Sequence, residues 1–415
     1  MSIRSTLPLL ALLNCLSQPG ISAPAAEMEQ TAASGQSTLE LSAKFSECLQ
    51  QIAMRASTAG INNNTIEQHL HPLQPLPRVI ALDRQQPEFT RSFADYFDKR
   101  VTEQRVQKGR ALYQQHRQLL QRVQQQHGVP GQYLLAFWGM ETHYGGYIGK
   151  MPTLPALATL ACDQRRSEFF TGQLIDALHI IDDAQLDADQ LRGSWAGAFG
   201  QMQSMPSVYR RYALDGDGDG RVDVFNSTAD AMATAGHFLA GIGWQKNERW
   251  GREVILPENF DYSLAGLDKQ QPLSNWRALG LRQTDGKELA KADMDAALLV
   301  PSGHRGPAFL VYENFQVILR WNRSISYALS VGHLADRING AGQLSRAPIP
   351  FAPLSGDDVR RLQARLNALG HDAGEVDGIL GPGTQAAIAR FQQTQGRIAD
   401  GFPDESTLAF LIDKR

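Results

Sequence analysis

Phe137-Trp138-Gly139-Met140-Glu141-Thr142-His143-Tyr144-Gly145 is the stretch that decides what the fold has to hold. Upstream, Gly128-Val129-Pro130 reads as a helix start, with proline at the first helical position. Counted from there, Leu134, Phe137, Trp138 and Glu141 fall at i, i+3, i+4 and i+7, on one helical stripe. A carboxyl on an apolar stripe beside a tryptophan is poorly solvated. Desolvation disfavours its charged form, so its pKa is expected to rise toward the range useful to a general acid. Gly145-Gly146 is expected to end the helix just past it, leaving the carboxyl at an edge that a ligand can reach. The alternative for this stretch alone is a helix-end glutamate paired with an arginine.

Two further blocks carry polar groups in a similar setting. Gly193-Ser194-Trp195-Ala196-Gly197-Ala198-Phe199-Gly200-Gln201-Met202-Gln203 is dense in glycine and alanine, which allows close approach of backbone and ligand. Ser194 and Gln203 suit sugar hydroxyls and amides. Later, Asn314-Phe315 leads through Val317 and Ile318 to Arg320-Trp321-Asn322-Arg323-Ser324, then Tyr327. Read singly, Gln203 could satisfy a loop backbone, Trp321 and Tyr327 could be core, and Arg165-Arg166 could be a solvated helix-start pair.

Taken together and in order, the three blocks resemble the soluble-B type (MltB-like) lytic murein transglycosylases, over roughly residues 40 to 340. The resemblance implies a lysozyme-like core with Glu141 as catalytic acid/base. Ser194, Gln203, Asn322 and Tyr327 would line the sugar cleft, with Trp321 as an aromatic wall. Arg165-Arg166, followed by Phe169-Phe170, would hold a stem-peptide carboxylate or the glycan. Ser204 stands where the family often has phenylalanine, and Trp321 where it often has tyrosine.

Asp215-Gly216-Asp217-Gly218-Asp219-Gly220-Arg221-Val222-Asp223 matches an EF-hand loop through its ninth position, including the glycine at the sixth. The backbone carbonyl of Arg221 would serve the seventh position. Asn226 stands at the twelfth, where a strong calcium site has a bidentate glutamate, so a weaker site for Ca²⁺ or Na⁺ is expected. Ser227-Thr228-Ala229-Asp230 has capping-box form, so a helix can start directly afterwards. The alternative is a tight Asp-Gly turn. Family members carry such a loop, and a full oxygen shell implies a structural cation. No cofactor is expected to take part in catalysis.

With 415 residues the chain can hold a large cored domain and a small one. A net charge of -3 carries no basic excess, so nucleic acid and anionic membrane surfaces are not suggested as partners. Arg4, the apolar run Leu7 to Leu16 and Ala23-Pro24-Ala25-Ala26 read as an export signal over residues 1–26. The expected location is the periplasm, without a transmembrane span. Leu12-Leu13-Asn14-Cys15 faintly resembles a lipobox, but asparagine is unusual before the modified cysteine. After cleavage Cys48 and Cys162 remain, and they could pair or stay as two buried thiols.

Residues 27–38 read as a flexible lead-in, and 39–340 as the mostly helical catalytic domain, with one long polar helix over Val101 to Gln126. Residues 341–354, with Pro348, Pro350 and Pro353, read as a linker. In 355–415, Ser355 caps a helix carrying Val359, Leu362, Leu366 and Leu369. The turn Asp377-Gly378 and a second helix with Phe391-Gln392 follow, and a third helix starts near Asp404. This order resembles the peptidoglycan-binding domain of bacterial wall enzymes. The expected fold is thus α+β, predominantly helical, with a lysozyme-like core and a C-terminal three-helix peptidoglycan-binding bundle.

Ordinary glycosidases use two carboxylates, but one convincing candidate is present here. A single acid suffices if the substrate's own 2-acetamido group stabilises the oxocarbenium-like centre. The resemblance therefore implies cleavage between N-acetylmuramic acid and N-acetylglucosamine with a 1,6-anhydro product. A hydrolytic muramidase and a non-catalytic wall-binding scaffold are the alternatives. A zinc peptidase is set aside because no H-E-x-x-H occurs. Peptidoglycan strands are the expected partner, with wall-synthesis enzymes as further ones.

Overall fold

The computed structural model of the protein describes residues 43–84, 92–351 and 354–412. The expected export signal, Cys15 and the lead-in at 27–38 lie outside the described residues.

The helix Gly131–Thr142 runs through the middle of the largest core. Helices Glu103–Gln115, Arg117–His127 and Ile325–Ile338 pack around it. Leu134 and Phe137 are fully buried, but so are Leu135 and Ala136 on other faces. The expected single stripe is therefore an all-round apolar surface, the pattern of a helix enclosed on every side.

Both expected helix ends are displaced. Pro130 is the N-cap, one position before the first helical residue. The helix stops at Thr142, and His143 and Tyr144 both turn left-handed with φ of 56° and 60°, ahead of the glycine pair. Packing drives this early reversal. A Cβ on Gly139 would lie 2.7 Å from Tyr144 Cζ, so the missing side chain is what lets Tyr144 fold back over the helix. Its hydroxyl then donates to the Arg105 carbonyl at 2.8 Å.

The single helix expected over Val101 to Gln126 is two, Glu103–Gln115 and Arg117–His127, joined at His116. His116 leaves helical geometry (ψ 17°) and packs edge-on against Trp138 at 6.1 Å. The joint lets Val106 and Gly109 on one segment and Leu119, Leu120 and Val123 on the other reach the core.

A second core joins the helix over residues 43–58 and helices Asn63–His69 and Pro77–Arg84 to helices Thr153–Ala161 and Ser167–Asp182. A Cys48–Cys162 disulfide closes it across 114 residues of sequence, resolving the choice the sequence left open. An antiparallel sheet flanks the helices in the order Gln271–Pro272, Asp295–Leu299, Ala308–Val311, Gly251–Ile255 and Arg282–Gln283. Its alternation is regular. Ala297, Leu299, Phe309 and Val311 face the main core, and Ala296, Leu298, Ala308 and Leu310 face a smaller one around Trp276.

The C-terminal bundle comprises helices Gly356–Ala368, Pro382–Thr394 and Glu405–Leu411 around Val359, Leu362, Leu366, Ile388 and Leu408. Ser355 makes the expected cap, completed as a capping box by Asp358. Two buried glutamines hold two Asp-Gly turns in the same way. Gln363 donates to Asp377 and accepts from Gly378 N, while Gln392 donates to Asp400 and accepts from Gly401 N. The linker ends before Leu354, which belongs to the bundle's core. Ser345 and Arg346 are pinned by their amides to the Glu253 carboxylate, and His304 meets Asp400 at 2.6 Å, so the bundle sits against the sheet region.

Candidate active site

Glu141 occupies the last turn of the buried helix and is one of its few half-buried residues. Its Oε1 accepts two hydrogen bonds, from Trp321 Nε1 at 2.9 Å and from the Tyr327 hydroxyl at 2.5 Å. Trp321 ends the helix Glu313–Trp321, and Tyr327 lies in the first turn of Ile325–Ile338, where Ser324 caps its amide. The Asn322-Arg323-Ser324 joint thus aims two donors from successive helices at one oxygen. The tryptophan beside Glu141 is Trp321, packed at a tilt on Phe137 with ring centroids 4.4 Å apart. Trp138, the expected neighbour, packs against Tyr144 and His116.

Tyr327 is a donor at all ordinary pH values. Burial, then the nearby Glu141 charge, holds its hydroxyl well above the usual tyrosine range. With 3% of its surface exposed it does not line a sugar cleft; it supports the carboxyl from behind. Asn322 caps its own helix end and accepts from Ser324 N at 3.1 Å.

Glu141 opens onto a cleft of about 460 Å³ that Ser194, Gln203, Trp195, Tyr147, Lys150 and Arg78 help to line. Ser194 Oγ accepts from Ala198 N at 3.1 Å, and Gln203 Nε2 donates to the Ile148 and Gly200 carbonyls at 2.9 and 3.1 Å. The small-residue run allows close approach of backbone to backbone: a Cβ on Gly193 would stand 1.9 Å from the Ala198 carbonyl oxygen. The hairpin so formed carries both Ser194 and Gln203 to the cleft. Thr142 locks it to the acid's helix by donating to Gln201 O at 2.7 Å.

Arg165 and Arg166 are not among the cleft-lining residues. Both reach the buried Asp83 carboxylate, and Arg165 also donates to the Asp83 carbonyl at 2.9 Å. Of the two phenylalanines after them, Phe170 is buried and Phe169 is exposed.

Asp215 and Asp217 of the acidic loop and Asp230 of the helix Thr228–Gly241 bring carboxylate oxygens within 4.8 Å of one another. A hard cation fits such a donor set. Asp230 was legible only as a helix-cap residue. Ser227 Oγ does accept from Asp230 N, but the buried Asp230 carboxylate goes to Gly216 N and Asp223 N. All the loop carboxylates already accept hydrogen bonds: Asp215 from Gly218 and Gly220, Asp217 from Ser227, Asp219 from Arg221, and Asp223 from Phe225 and Asn226.

The chain matches the Transglycosylase SLT domain family over residues 44–336 and a peptidoglycan binding domain over residues 355–411. Membrane-bound lytic murein transglycosylase B of Escherichia coli K12 is 31% identical over 301 residues, 67% of this chain and 79% of that one. SltB3 from Pseudomonas aeruginosa, solved in complex with NAG-anhNAM-pentapeptide, is 41% identical with a TM-score of 0.83, covering 88% of this chain and 99% of that one. Escherichia coli Slt35, solved in complex with calcium, is 30% identical at a TM-score of 0.61, covering 70% and 92% of the two chains. A helical, lysozyme-like core presenting one tethered carboxyl to an open cleft is the frame of a glycan-cleaving enzyme. The chain belongs to the SLT family and is a peptidoglycan lytic transglycosylase carrying a peptidoglycan-binding domain.

Among the described residues no helix is long and apolar enough to cross a membrane.

Proposed function

We propose that the enzyme cleaves the bond between N-acetylmuramic acid and N-acetylglucosamine with Glu141 as the single acid/base, leaving a 1,6-anhydromuramyl end. The observation that carries this is the pair of donors on Glu141 Oε1, from Trp321 and Tyr327. They orient the carboxyl and stabilise the charge it gains as it releases its proton.

In this reaction Glu141 protonates the glycosidic oxygen, and the C1–O bond breaks as N-acetylglucosamine leaves. The acetamido oxygen of the muramyl residue stabilises the electron-poor C1. The Glu141 carboxylate then takes the proton of the muramyl O6 hydroxyl, whose oxygen bonds to C1. Glu141 ends protonated, and no water is consumed. Ser194 and Gln203 offer polar groups to the acetamido and hydroxyl substituents. The complexes of SltB3 with NAG-NAM-pentapeptide and NAG-anhNAM-pentapeptide support this choice of substrate and product.

Asp215, Asp217 and Asp230, with the Arg221 carbonyl, are proposed to hold a structural Ca²⁺ that stiffens the loop behind the hairpin. Residues 1–26 are proposed to direct the enzyme to the periplasm, where its substrate lies.

Mass spectrometry of the soluble products from purified peptidoglycan tests the chemistry. Wild type should release anhydro-muropeptides, and Glu141→Gln should lose about 10²- to 10⁴-fold in rate. Reducing-end products would point to a hydrolase, and an active Glu141→Gln would remove the assigned acid.

A further inference from the structure

Two successive residues other than glycine, His143 and Tyr144, turn left-handed directly after the acid's helix. Residues with a Cβ adopt that conformation rarely, so something outside the turn has to hold it. The helix Glu103–Gln115 does. Arg105 Nη2 meets His143 Nδ1 at 3.2 Å, the Tyr144 hydroxyl donates to the Arg105 carbonyl at 2.8 Å, and Lys108 Nζ donates to the His143 carbonyl at 3.3 Å. A Cβ on Gly109 would stand 2.6 Å from the Tyr144 hydroxyl oxygen, so this glycine makes room for the contact.

Arg105 is the unusual member of the set. It is 7% exposed, and no carboxylate pairs with it among the described residues. Its guanidinium goes instead to the Arg100 carbonyl and to His143. A buried arginine is ordinarily paired with an acid, so packing alone gives no reason for this one. A guanidinium only donates, which makes His143 Nδ1 the acceptor and requires a neutral imidazole.

The same helix grips the acid's hydrogen-bond partner. Arg110 donates twice to the Arg337 carbonyl, at 3.0 and 2.7 Å, and Arg337 donates to Glu103 at 2.6 Å. Arg337 lies on Ile325–Ile338, the helix that carries Tyr327. Glu103–Gln115 therefore holds the turn after the acid with one set of side chains and the helix of Tyr327 with another. The 2.5 Å hydrogen bond from the Tyr327 hydroxyl to Glu141 Oε1 spans the two, and such a site tolerates displacements of only about 0.5 Å.

We propose that Arg105 is a positioning residue for Glu141, acting through neutral His143 to keep the acid's turn in register with Tyr327. This rests on the reading of Glu141 as the acid. Protonation of His143 would set an N–H against the guanidinium and release the turn. The charges facing the imidazole are Arg105 and Lys108 of Glu103–Gln115, with the Tyr144 ring beside it on its own turn. Burial, then Arg105 and Lys108, hold the imidazole below its ordinary 6.5, so the turn is intact at neutral pH and is released as the pH falls below that value.

Initial rates of muropeptide release by the full-length enzyme, over a range of substrate concentration and pH, test this. Arg105→Met and His143→Ala should each lower kcat roughly five- to fiftyfold with KM within about twofold, because neither side chain lines the cleft. The double variant should fall no further than the worse single one. His143→Asn should rescue most of the neutral-pH rate, since its Oδ1 takes the place of Nδ1 and asparagine tolerates the left-handed turn. Asparagine does not titrate, so the wild-type fall in kcat below pH 6.5 should be absent from this variant. An unchanged kcat in Arg105→Met, a loss confined to KM, losses that multiply in the double variant, or a low-pH fall kept by His143→Asn overturns the proposal. If Arg105→Met does not fold, the two His143 variants decide by the same criteria. Full activity in Glu141→Gln would bring down the acid assignment and this role together, whereas an inactive Glu141→Gln beside an unaffected Arg105→Met defeats the positioning role alone.

Discussion

Replacing Tyr327 by phenylalanine isolates the donor behind the acid. The phenol is buried and its hydroxyl lies 2.5 Å from Glu141 Oε1, so the change removes one hydrogen bond and touches no cleft surface. A hydrogen bond to a charged group contributes about 1.5–3 kcal/mol, more than one to a neutral acid. In the proposed reaction Glu141 gains negative charge as it gives up its proton, so the bond would strengthen in the transition state. Its loss should appear in kcat, by about ten- to a hundredfold, with KM little changed. Trp321 Nε1 still donates at 2.9 Å, which keeps the variant above the Glu141→Gln level. Initial rates of muropeptide release, measured by chromatography over a range of substrate concentrations, give both parameters. A kcat within twofold of wild type, or a loss confined to KM, would refute the idea that Tyr327 works through Glu141.

Three other outcomes are expected. Removing the disulfide by Cys48→Ser with Cys162→Ser opens a loop spanning 114 residues, worth up to about 5 kcal/mol by chain entropy, and should lower the melting temperature by on the order of 10 °C; an unchanged melt contradicts it. Burial, with Arg337 nearby, pushes the His333 imidazole down to about 4, below its ordinary 6.5. The unfolded chain then takes up a proton that the folded one refuses, so stability present above pH 6.5 is lost as pH falls toward 4, by about 3 kcal/mol. Denaturant titrations of wild type and His333→Gln across that range should diverge accordingly, and parallel curves would count against it. Chelation with EDTA should lower the melting temperature of calcium-loaded enzyme by a few degrees, and Asp230→Asn should abolish the difference; a chelation effect that persists in that variant would remove Asp230 from the site.

The division of labour between sequence and tertiary structure is plain in particular residues. Glu141, Ser194 and Gln203 stood out in local patterns because their chemistry is written in short, unusual stretches, and the C-terminal bundle was legible from its caps and apolar spacing. The Asp-rich loop showed by its spacing, yet Asp230 escaped because its neighbours in sequence present it as a cap. The two helices behind Val101 to Gln126 merged into one because their polar composition hides the His116 joint, which exists to let two segments meet different faces of the core. Trp321 and Tyr327 showed as cleft residues, but that they converge on one carboxyl oxygen depends on a bend between two helices nearly two hundred residues from the acid. Arg165 and Arg166 showed as ligand-binding cations, whereas a buried Asp83 claims both. Sequence alone determined the enzyme's type and the order of its two domains and singled out Glu141 as the candidate acid, since these follow from residue kinds and short-range spacing. Only the tertiary structure decided which side chains line the cleft and which face each other, because a charge or a hydrogen bond goes to the partner that packing brings within about 3 Å.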